Sequence, residues 1–557
     1  MSDRLKLALP ADRRSTLART GNFWSIAMLA LVMALQVTLV FNRAINWDEF
    51  WHYSLVNKLA AGTLTDPLQT LFTRAFTWVL ALPGNGVDHI VIIRLFMLGC
   101  EFVTLVAIIG IASRFFDRTT GWLCALAYAG GGYVFQHATS FRFDGPATAM
   151  LMAAAWILLR APLRPVTLFA VGALLGTAGM FTIKSGLYAP VFAGIAWLRW
   201  SEAGRSPAAA LRLVAVGVVA AASFGVIYLL HAGSLAGDSG AAAQRVANVA
   251  GTRMFTLGAQ PYWPLHVRGA ALAPLLTLLA LTVPALLAIK PRPLPERIAL
   301  LGLWLPLTTL LFYHNTAPYY FVFMLAPVAA ACAVPMSLAM RRYSPTIIAL
   351  ALGALGATVW LMETPSPIVK QRTLIDTANR LFPDKPAYFD SNAMLGTFPK
   401  ANAFMTPWGT ELYLAGAVPS MTETAAAIPV PLIVNDDYMF ADALTTRNPV
   451  HSFLPQDLAM LRGSYVQFWG PFWVAGFDLS PSAAARDIVV TVPGTYTLNS
   501  PADVAIDGTV RRPGEIFELQ RGRHRIGSLT APLRLLWGRN LRVPAQPAPP
   551  EPYFMPF

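Results

Sequence analysis

Two adjacent carboxylates, Asp48 and Glu49, stand in the stretch NWDEFWHYS just after an apolar run long enough to cross a membrane. An acid at the centre of a spanning helix costs about 2.5–3.5 kcal/mol, and less near the helix ends. The pair could simply favour a helix start, where carboxylates interact well with the macrodipole. Alternatively, partial desolvation raises the basicity of a carboxylate, which suits a general base that takes a proton from a hydroxyl. We predict that Asp48 is this base and that Glu49 orients it or positions the acceptor.

A second group of charged residues stands in the stretches FRFDGP and TIKSG. Asp144, a third candidate catalytic acid, precedes Gly145-Pro146, so a helix cap is the ordinary alternative, and Arg142 could simply pair with it. Lys184 has no acid nearby in the sequence, and the ordinary alternative is a lysine that extends toward the membrane surface. If the substrate carries an anionic phosphate at this surface, Arg142 and Lys184 are suitable cations to bind it.

Polar and aromatic residues of two further segments complete the candidate substrate site. His52 follows the acidic pair, and the stretch YHNTAPYY contributes His314, Asn315, Tyr319 and Tyr320. His314 is a further candidate for the phosphate. The two tyrosines could instead belong to an aromatic belt at the membrane interface.

Two histidines near the acidic residues raise the possibility of a bound metal ion. His52, His89 and Asp48 match no specific spacing of metal ligands, so no metal-binding residue is predicted. No cofactor is assigned, and participation of a divalent ion is left open. Glu101 lies within an apolar segment, where it is either a polar packing contact or a cavity residue.

Composition defines the class of protein that must position these residues. The chain has 557 residues, of which 55% are hydrophobic and 13% are charged, well below the ~25% charged fraction of an ordinary soluble domain. This indicates an integral membrane protein. The formal net charge of +13 does not indicate a nucleic acid partner, because Lys and Arg occur in ones and twos between apolar segments.

The apolar segments predict a polytopic α-helical protein. A helix needs about 20 residues to cross ~30 Å of hydrocarbon. Eleven candidate spans lie at approximately 22–42, 91–112, 121–140, 145–160, 166–183, 186–198, 210–230, 269–289, 297–313, 318–338 and 345–362. If the basic tail 1–21 is cytoplasmic, the five other basic segments fall on the same side of the membrane, as the positive-inside rule requires.

This threading places all the candidate site residues on the opposite, extracytoplasmic face, although they come from four different loops. The short spans between Phe143 and Arg199 suggest that Asp144 and Lys184 lie below the outer surface in a protein-lined cavity. A re-entrant hairpin at 166–198 is an alternative that leaves the number of crossings odd. Everything after residue 362 is therefore predicted to be exported.

The predicted domains follow from changes of composition along the chain. After the tail 1–21, residues 22–362 form the membrane domain. The exported part comprises a mixed α/β region at 363–485, a small β-sandwich-like region at 486–541, where short alternating segments are separated by Pro, Gly or Asp-Gly turns, and a proline-rich tail at 542–557.

The predicted site suits transfer of a group from a lipid phosphate. Asp48 would take the proton of an acceptor hydroxyl, and Arg142 and Lys184 would stabilise the phosphate as it leaves. A single displacement of this kind inverts the anomeric centre of a sugar and needs no covalent enzyme intermediate. A separate strong acid is unnecessary, because the phosphate departs as a stable anion.

These motifs resemble the C-type (GT-C) lipid-phosphosugar glycosyltransferases, especially bacterial relatives of protein O-mannosyltransferases and lipid A aminoarabinose transferases. The resemblance rests on the Asp-Glu pair in the first external loop, the aspartate of the next loop, the IKSG corner and the Tyr-Tyr helix start, and covers about residues 20–340. It implies that Asp48 is the catalytic aspartate and that Lys184 contacts the donor phosphate. His314-Asn315 stands where many relatives have a basic residue.

The resemblance further implies a polyprenyl-phosphate sugar donor, membrane lipids as surroundings, and a lipid, polysaccharide or protein acceptor. It places the protein in the bacterial inner membrane, with a cytoplasmic N-terminus and a periplasmic active site and C-terminal domain. Neither the sugar nor the acceptor follows from the sequence.

Three other functions fit part of the sequence. A transporter or flippase for a lipid-linked sugar would suit eleven spans, but its substrate site would lie near the midplane of the bilayer. An oligosaccharide ligase or polymerase would carry an arginine-rich external loop, which the loop 231–268 with Arg245, Arg253 and His266 only weakly matches. The third is a noncatalytic sugar-binding scaffold.

Overall fold

The computed structural model describes residues 11–237, 240, 244, 257, 258, 262–446 and 450–555, with side chains from residue 20 onward except 407 and 408. Some residues of the sequence predictions lie outside this part of the chain. They are Arg4 and Lys6 of the basic tail 1–21, Arg245 and Arg253 of the loop 231–268, and the last two residues of the proline-rich tail.

The first part of the chain is helical. Its α-helices are α1 Ala11–Asn42, α2 Trp47–Ala60, α3 Gly86–Phe115, α4 Arg118–Ala129, α5 Tyr133–His137, α6 Asp144–Arg160, α7 Pro165–Phe181, α8 Ala189–Glu202, α9 Pro207–Ala232, α10 Trp263–Leu272, α11 Pro274–Ile289, α12 Leu294–Trp304, α13 Tyr320–Ala331, α14 Ala333–Arg342 and α15 Pro345–Leu361. Among the described residues of this part, three 3₁₀ helices lie at Leu71–Ala81, Ile183–Tyr188 and Leu305–Leu311.

Several of these helices can cross a membrane. In the described part of the chain, four are long and apolar enough by themselves, and the number rises to seven if each of three bent helix pairs is one span. All eleven predicted spans fall on helices or on pairs of helices. The number of crossings stays a prediction, because α6, α7 and α8 have only 17, 17 and 14 residues.

Breaks divide segments that the sequence predicts as continuous spans. The predicted span 121–140 is two helices, α4 and α5, because the chain turns at Gly130-Gly131-Gly132. Gly132 has a φ of +46°, and a Cβ at this position would lie 2.7 Å from Leu272 Cβ, so only glycine fits. The predicted span 269–289 also bends, by 104° between α10 and α11.

The acidic pair lies in the first turn of the helix α2, where the sequence predicts an external loop. Asn46 caps this helix: its side chain accepts the N–H of Asp48, and the Glu49 side chain accepts the N–H of Asn46. This reciprocal arrangement is a capping box. The helix start therefore holds the backbone of Asp48 in a defined position.

The C-terminal region, residues 363–555, combines helices with two sheets. Its elements are α16 Ser366–Leu381, β1 Tyr388–Phe389, α17 Pro407–Leu414, α18 Met421–Ala427, β2 Leu432–Val434, α19 Tyr438–Thr445, α20 Pro455–Ser464, β3 Tyr465–Trp469, β4 Phe472–Leu479, β5 Arg486–Val490, β6 Gly494–Asn499, β7 Val504–Ile506, β8 Thr509–Arg511, β9 Ile516–Leu519, β10 Gly522–Ile526 and β11 Leu533–Trp537. Apolar helices followed by a sheet-rich region confirm the predicted fold class.

The larger sheet takes strands from both predicted C-terminal regions. Its order is β1-β2-β4-β11-β6-β9, with β3 paired to β4, and the second sheet has the order β5-β10-β7-β8. Only β1 and β2 are parallel among these pairs. Because β4 pairs with β11, the sheet crosses the predicted boundary at residue 485.

A continuous apolar core joins the C-terminal region to α2 and α3. Phe50 and Tyr53 of α2 share this core with Ile90 of α3 and with Tyr388 and Phe472 of the larger sheet. Outside the core, the rings of Trp51 and Phe404 stack with centroids 4.9 Å apart. The C-terminal region therefore packs directly on the helix that carries Asp48.

A buried acidic group lies at the carboxyl ends of the parallel strands β1 and β2. Lys400 Nζ is 2.5 Å from Asp390 Oδ1, whereas neither carboxyl oxygen of Asp436 has a hydrogen-bond partner among the described residues. Burial, together with the charges of Asp390 and Asp437, raises the pKa of Asp436 well above its ordinary value. The folded protein therefore favours the protonated form of Asp436.

We expect Asp436→Asn to stabilise the protein at neutral pH. In the wild type, the unfolded chain ionises at an ordinary pKa of about 4 while the folded state keeps its proton, so the free energy of unfolding falls as the pH rises through this window. The amide cannot ionise, so Tm at neutral pH should rise above the wild-type value. Thermal unfolding from pH 4 to pH 8 measures this, with the exposed Asp442→Asn as the control. Parallel pH profiles for the two variants would contradict the prediction.

Candidate active site

Four charged side chains form a continuous series of ion pairs, which we call the ion-pair chain: Asp48, Arg142, Asp144 and Lys184. Arg142 Nη1 donates to Asp48 Oδ2, and Arg142 Nε lies 3.1 Å from Asp144 Oδ2. Lys184 Nζ lies 2.5 Å from Asp144 Oδ1. Two acids and two cations therefore alternate, and their formal charges sum to zero.

Each member of the ion-pair chain stands at or beside the end of a helix. Asp48 is in the first turn of α2, and Asp144 is the first residue of α6, directly after the segment that carries Arg142. Lys184 lies in the 3₁₀ helix Ile183–Tyr188, whose start is capped by the Thr182 hydroxyl. Three separate elements thus bring together four residues that span 137 positions in the sequence.

Aromatic rings cover the cations of this site. The Arg142 guanidinium carbon lies 3.3 Å from the centroid of the Tyr319 ring, a cation–π contact. The Tyr319 hydroxyl donates to Asn315 Oδ1 at 2.8 Å, which fixes the ring. Lys184 Nζ lies 5.0 Å from the Phe143 ring and 5.8 Å from the Tyr320 ring. The predicted residues Asn315 and Tyr319 are therefore part of the same site.

Asp48 is the most accessible member of the ion-pair chain. Its side chain is 14% exposed, compared with 8% for Arg142, 5% for Lys184 and 3% for Asp144. Burial raises the pKa of Asp48 above its ordinary value, although the charge of Arg142 opposes this shift. A reachable carboxylate of raised basicity is suited to take a proton from a bound hydroxyl.

Glu49 points away from the ion-pair chain. Arg94 of α3 forms a two-pronged pair with it, with Nε 2.8 Å from Oε1 and Nη2 2.5 Å from Oε2. The N–H groups of Asn46 and Phe141 also donate to this carboxylate. These contacts with Arg94 and the backbone outweigh burial and lower the pKa of Glu49. The contacts of Glu49 therefore hold the start of α2 against the segment that leads to Arg142.

Three other predicted residues lie near the site but have different surroundings. His52 packs among Phe72, Phe141 and Phe143, and burial lowers its pKa to about 3, so the ring is uncharged at neutral pH. The Tyr320 hydroxyl donates to Thr309 Oγ1 at 2.7 Å. His314 Nε2 is buried and has no hydrogen-bond partner among the described residues.

His89, which the sequence offers as a possible metal ligand, bonds to groups other than Asp48. His89 Nδ1 is 2.6 Å from the Tyr53 hydroxyl, and its Nε2 is 3.0 Å from the Leu82 carbonyl oxygen. Within the described residues, no group of three or more His, Cys, Asp and Glu side chains could hold a metal ion. Glu101, within α3, accepts a hydrogen bond from Gln36 Nε2 at 2.9 Å, as expected for a polar packing contact.

Sequence reasoning missed Arg94 as part of the support of the site. Arg94 is 2% exposed and, besides its pair with Glu49, donates to the carbonyl oxygens of Arg43 and Ala44 at 2.8 and 2.9 Å. An arginine inside an apolar segment needs a buried partner, so its position alone was a usable signal. It did not identify which acid the partner is.

Comparison with known proteins gives a match only at the level of structure. No family model and no curated protein sequence matches the chain. The crystal structure of ArnT from Cupriavidus metallidurans bound to undecaprenyl phosphate is similar with a TM-score of 0.50 and 13% identity, over 78% of this chain and 100% of that chain. ArnT in the apo state gives a TM-score of 0.51 and 13% identity, over 77% and 96% of the two chains. The Archaeoglobus fulgidus oligosaccharyltransferase in complex with Zn and sulfate has 10% identity over 91% and 96%, at a TM-score of 0.49.

The likeness to ArnT extends over the whole length of that protein and over most of this chain. It confirms the fold that the sequence motifs predicted. The chain therefore has the fold of the ArnT structures.

Proposed function

We propose that the protein is a membrane glycosyltransferase that moves a monosaccharide from a polyprenyl-phosphate donor to an extracytoplasmic acceptor. The observation that carries this proposal is the ion-pair chain, which sets an accessible carboxylate beside two buried cations on a GT-C fold. Such a site offers a proton acceptor and phosphate-binding groups within one cluster of side chains.

The reaction that suits these groups is a single displacement. Asp48 takes the proton of the acceptor hydroxyl while the acceptor oxygen forms a bond to the anomeric carbon and the bond from that carbon to the phosphate oxygen breaks. The electron pair of the broken bond stays on the lipid phosphate, and the configuration of the sugar is inverted. Asp144 does not contact Asp48 through any described hydrogen bond, and its role in the proposal is to hold Arg142 and Lys184 in place.

The donor phosphate is assigned to Arg142 and Lys184. A guanidinium carries five N–H donors, so Arg142 can keep its contacts to the two aspartates and still donate to a phosphate oxygen. His314, Asn315, Tyr319, Tyr320 and His52 stay candidate substrate contacts, with the neutral His52 better suited to packing than to binding an anion. That ArnT was crystallised with undecaprenyl phosphate supports this class of donor lipid.

The proposed location is the bacterial inner membrane, with the N-terminus in the cytoplasm and both the active site and the C-terminal region outside it. The distribution of basic loops supports this orientation. The acceptor is a lipid, a polysaccharide or a protein, and the C-terminal region that packs on α2 is the part of the chain suited to select it.

A donor panel tests the function. Purified protein in detergent is incubated with polyprenyl phosphates that carry different sugars and with candidate acceptors, and the released polyprenyl phosphate is measured. We expect release with at least one donor, dependent on an acceptor. A transporter, flippase or noncatalytic scaffold would bind donor without any release, and that result would overturn the proposal. Parallel reactions with a chelator show whether a divalent ion takes part.

We expect Lys184→Met to weaken donor binding by about 10-fold to 100-fold, the value of a hydrogen bond to a charged group. Asp144→Asn should weaken it less, because Lys184 then keeps its charge and the amide oxygen can still accept a hydrogen bond from it. Binding of a fluorescent polyprenyl phosphate measures both variants. Equal losses in the two variants would mean that Lys184 acts only through its pair with Asp144, which would remove it from the phosphate site.

A further inference from the structure

The chain returns from the C-terminal sheets to the start of α2. Residues 546–554, which we call the C-terminal strap, first cross the larger sheet, where Trp469 Nε1 donates to the Gln546 carbonyl oxygen at 2.9 Å. Next to this contact, Gly470 lies so close to Ala548 that a Cβ at position 470 would be 2.2 Å from the Ala548 Cβ. The strap therefore contacts the larger sheet at Gln546 and Ala548, and only its last two residues, Tyr553 and Phe554, are buried.

Gln371 of α16 joins the strap to the segment that precedes α2. Its Oε1 accepts the N–H of Ile45 at 2.9 Å, and its Nε2 donates to the carbonyl oxygens of Ile45 and Tyr553, each at 2.8 Å. Gln371 is completely buried, and all three of these bonds go to backbone groups. One amide side chain thus bonds to both the N–H and the carbonyl group of Ile45 and links this residue to the strap.

Phe554 ends the described course of the strap between two aromatic residues of the first turn of α2. Its ring packs edge-on against Trp47 and Phe50, with centroid distances of 6.3 and 6.1 Å. These two residues flank Asp48 in the sequence. Phe554 is 9% exposed and Phe50 is fully buried, so the contact is part of the apolar core.

We propose that the C-terminal strap positions Asp48, with Phe554 and Gln371 as positioning residues. The inference rests on the proposed function. Asp48 lies in the first helical turn, where its N–H bonds to the Asn46 side chain instead of a carbonyl group of a preceding turn, so packing by neighbouring structure adds to the restraint that the capping box provides. The strap supplies such a restraint on the side chains before and after Asp48, while Arg142 acts on its carboxylate.

The strap should therefore affect the chemical step more than the binding of donor. A displacement of about 1 Å in a catalytic group can cost about 10²-fold in rate. Neither Phe554 nor Gln371 contacts Arg142 or Lys184 through any described hydrogen bond, ion pair or ring contact. Loss of the strap contacts should thus lower kcat and leave the donor KM nearly unchanged.

The test compares Phe554→Ala with Phe517→Ala in the full-length protein. Phe517 is similarly buried, at 7% exposure, but lies in the core between the two sheets, away from α2. We expect Phe554→Ala to speed amide hydrogen exchange of the peptide that covers residues 44–50 by at least about 10-fold and to lower kcat by about 10-fold or more. Phe517→Ala should do neither, and Phe554→Tyr should restore both.

The possible outcomes test the strap proposal and the proposed function separately. If the wild type transfers sugar and Phe554→Ala matches Phe517→Ala in both exchange at 44–50 and kcat, the strap proposal is overturned. If the wild type transfers no sugar, the proposed function fails, and unchanged exchange at 44–50 would then refute the strap by itself. Should Phe554→Ala fold poorly, Gln371→Leu provides the same comparison through the loss of its three backbone bonds.

Discussion

Asp48→Asn is expected to lower kcat for sugar transfer by about 10²–10⁴, the usual contribution of a positioned general base. The amide has nearly the same shape as the carboxylate and can still accept a hydrogen bond from Arg142, but it cannot take the proton of the acceptor hydroxyl. Donor affinity should change little, since Arg142 and Lys184 keep their charges. Single-turnover measurements with saturating donor would separate the chemical step from binding.

The control for this substitution is Asp88→Asn. Asp88 caps α3 and pairs with Arg372, and about a third of its side chain is exposed, so its loss should leave kcat close to the wild-type value. A purified Asp48→Asn protein that keeps wild-type turnover would remove Asp48 from the mechanism.

The pH dependence of the wild type provides a second check on Asp48. The base has to be ionised, so kcat/KM, which reports the free enzyme, should fall as the pH is lowered through the pKa of Asp48. Burial raises that pKa, so the loss should begin at a higher pH than for an ordinary aspartate, whose pKa is about 4.

Glu49→Gln is expected to destabilise the protein by about 3–5 kcal/mol, the cost of leaving one partner of a buried ion pair without its counter-charge. Arg94 would stay buried, at 2% exposure, among backbone carbonyl groups and an uncharged amide. The substitution also replaces one acceptor of the N–H groups of Asn46 and Phe141 by an amide nitrogen. Thermal unfolding and the yield of monodisperse protein would measure the loss.

A matched control for Glu49 is Glu202→Gln. Glu202 pairs with Arg114 near the surface, where each side chain is about one third exposed, so the expected cost is below about 1 kcal/mol. If Glu49→Gln folded as stably as Glu202→Gln and yet lost sugar transfer, Glu49 would have a direct part in the chemistry rather than the structural part that its contacts indicate.

The sequence was sufficient to predict the fold class and to collect the central residues of the site. The alternation of basic and nonbasic loops placed Asp48, Asp144 and Lys184 on one face of the membrane, and the structure brings these residues together. The sequence predicted a pair between Arg142 and its neighbour Asp144. It did not predict that Arg142 also pairs with Asp48 or that Lys184 pairs with Asp144. Loop residues far apart in sequence have no defined distance until the helices are packed.

The course of the chain around Asp48 was less predictable. The spacing of Asn46 and Glu49 is a capping-box signal. The same stretch follows a predicted span, however, and this position favoured an external loop. The tail 542–557 was predicted as a proline-rich extension. Its composition indicates no regular structure, and the apolar partners of Tyr553 and Phe554 belong to other segments of the chain.

The pairing of β4 with β11 limits how this protein can be divided for expression. The two strands are in register from Leu479 opposite Leu533 to Gly476 opposite Leu536. A fragment that stopped at residue 485 would leave one side of β4 without its hydrogen-bonding partner, and an uncovered strand of this kind invites association between molecules. Any division of the chain should therefore keep α16 through β11 in one piece.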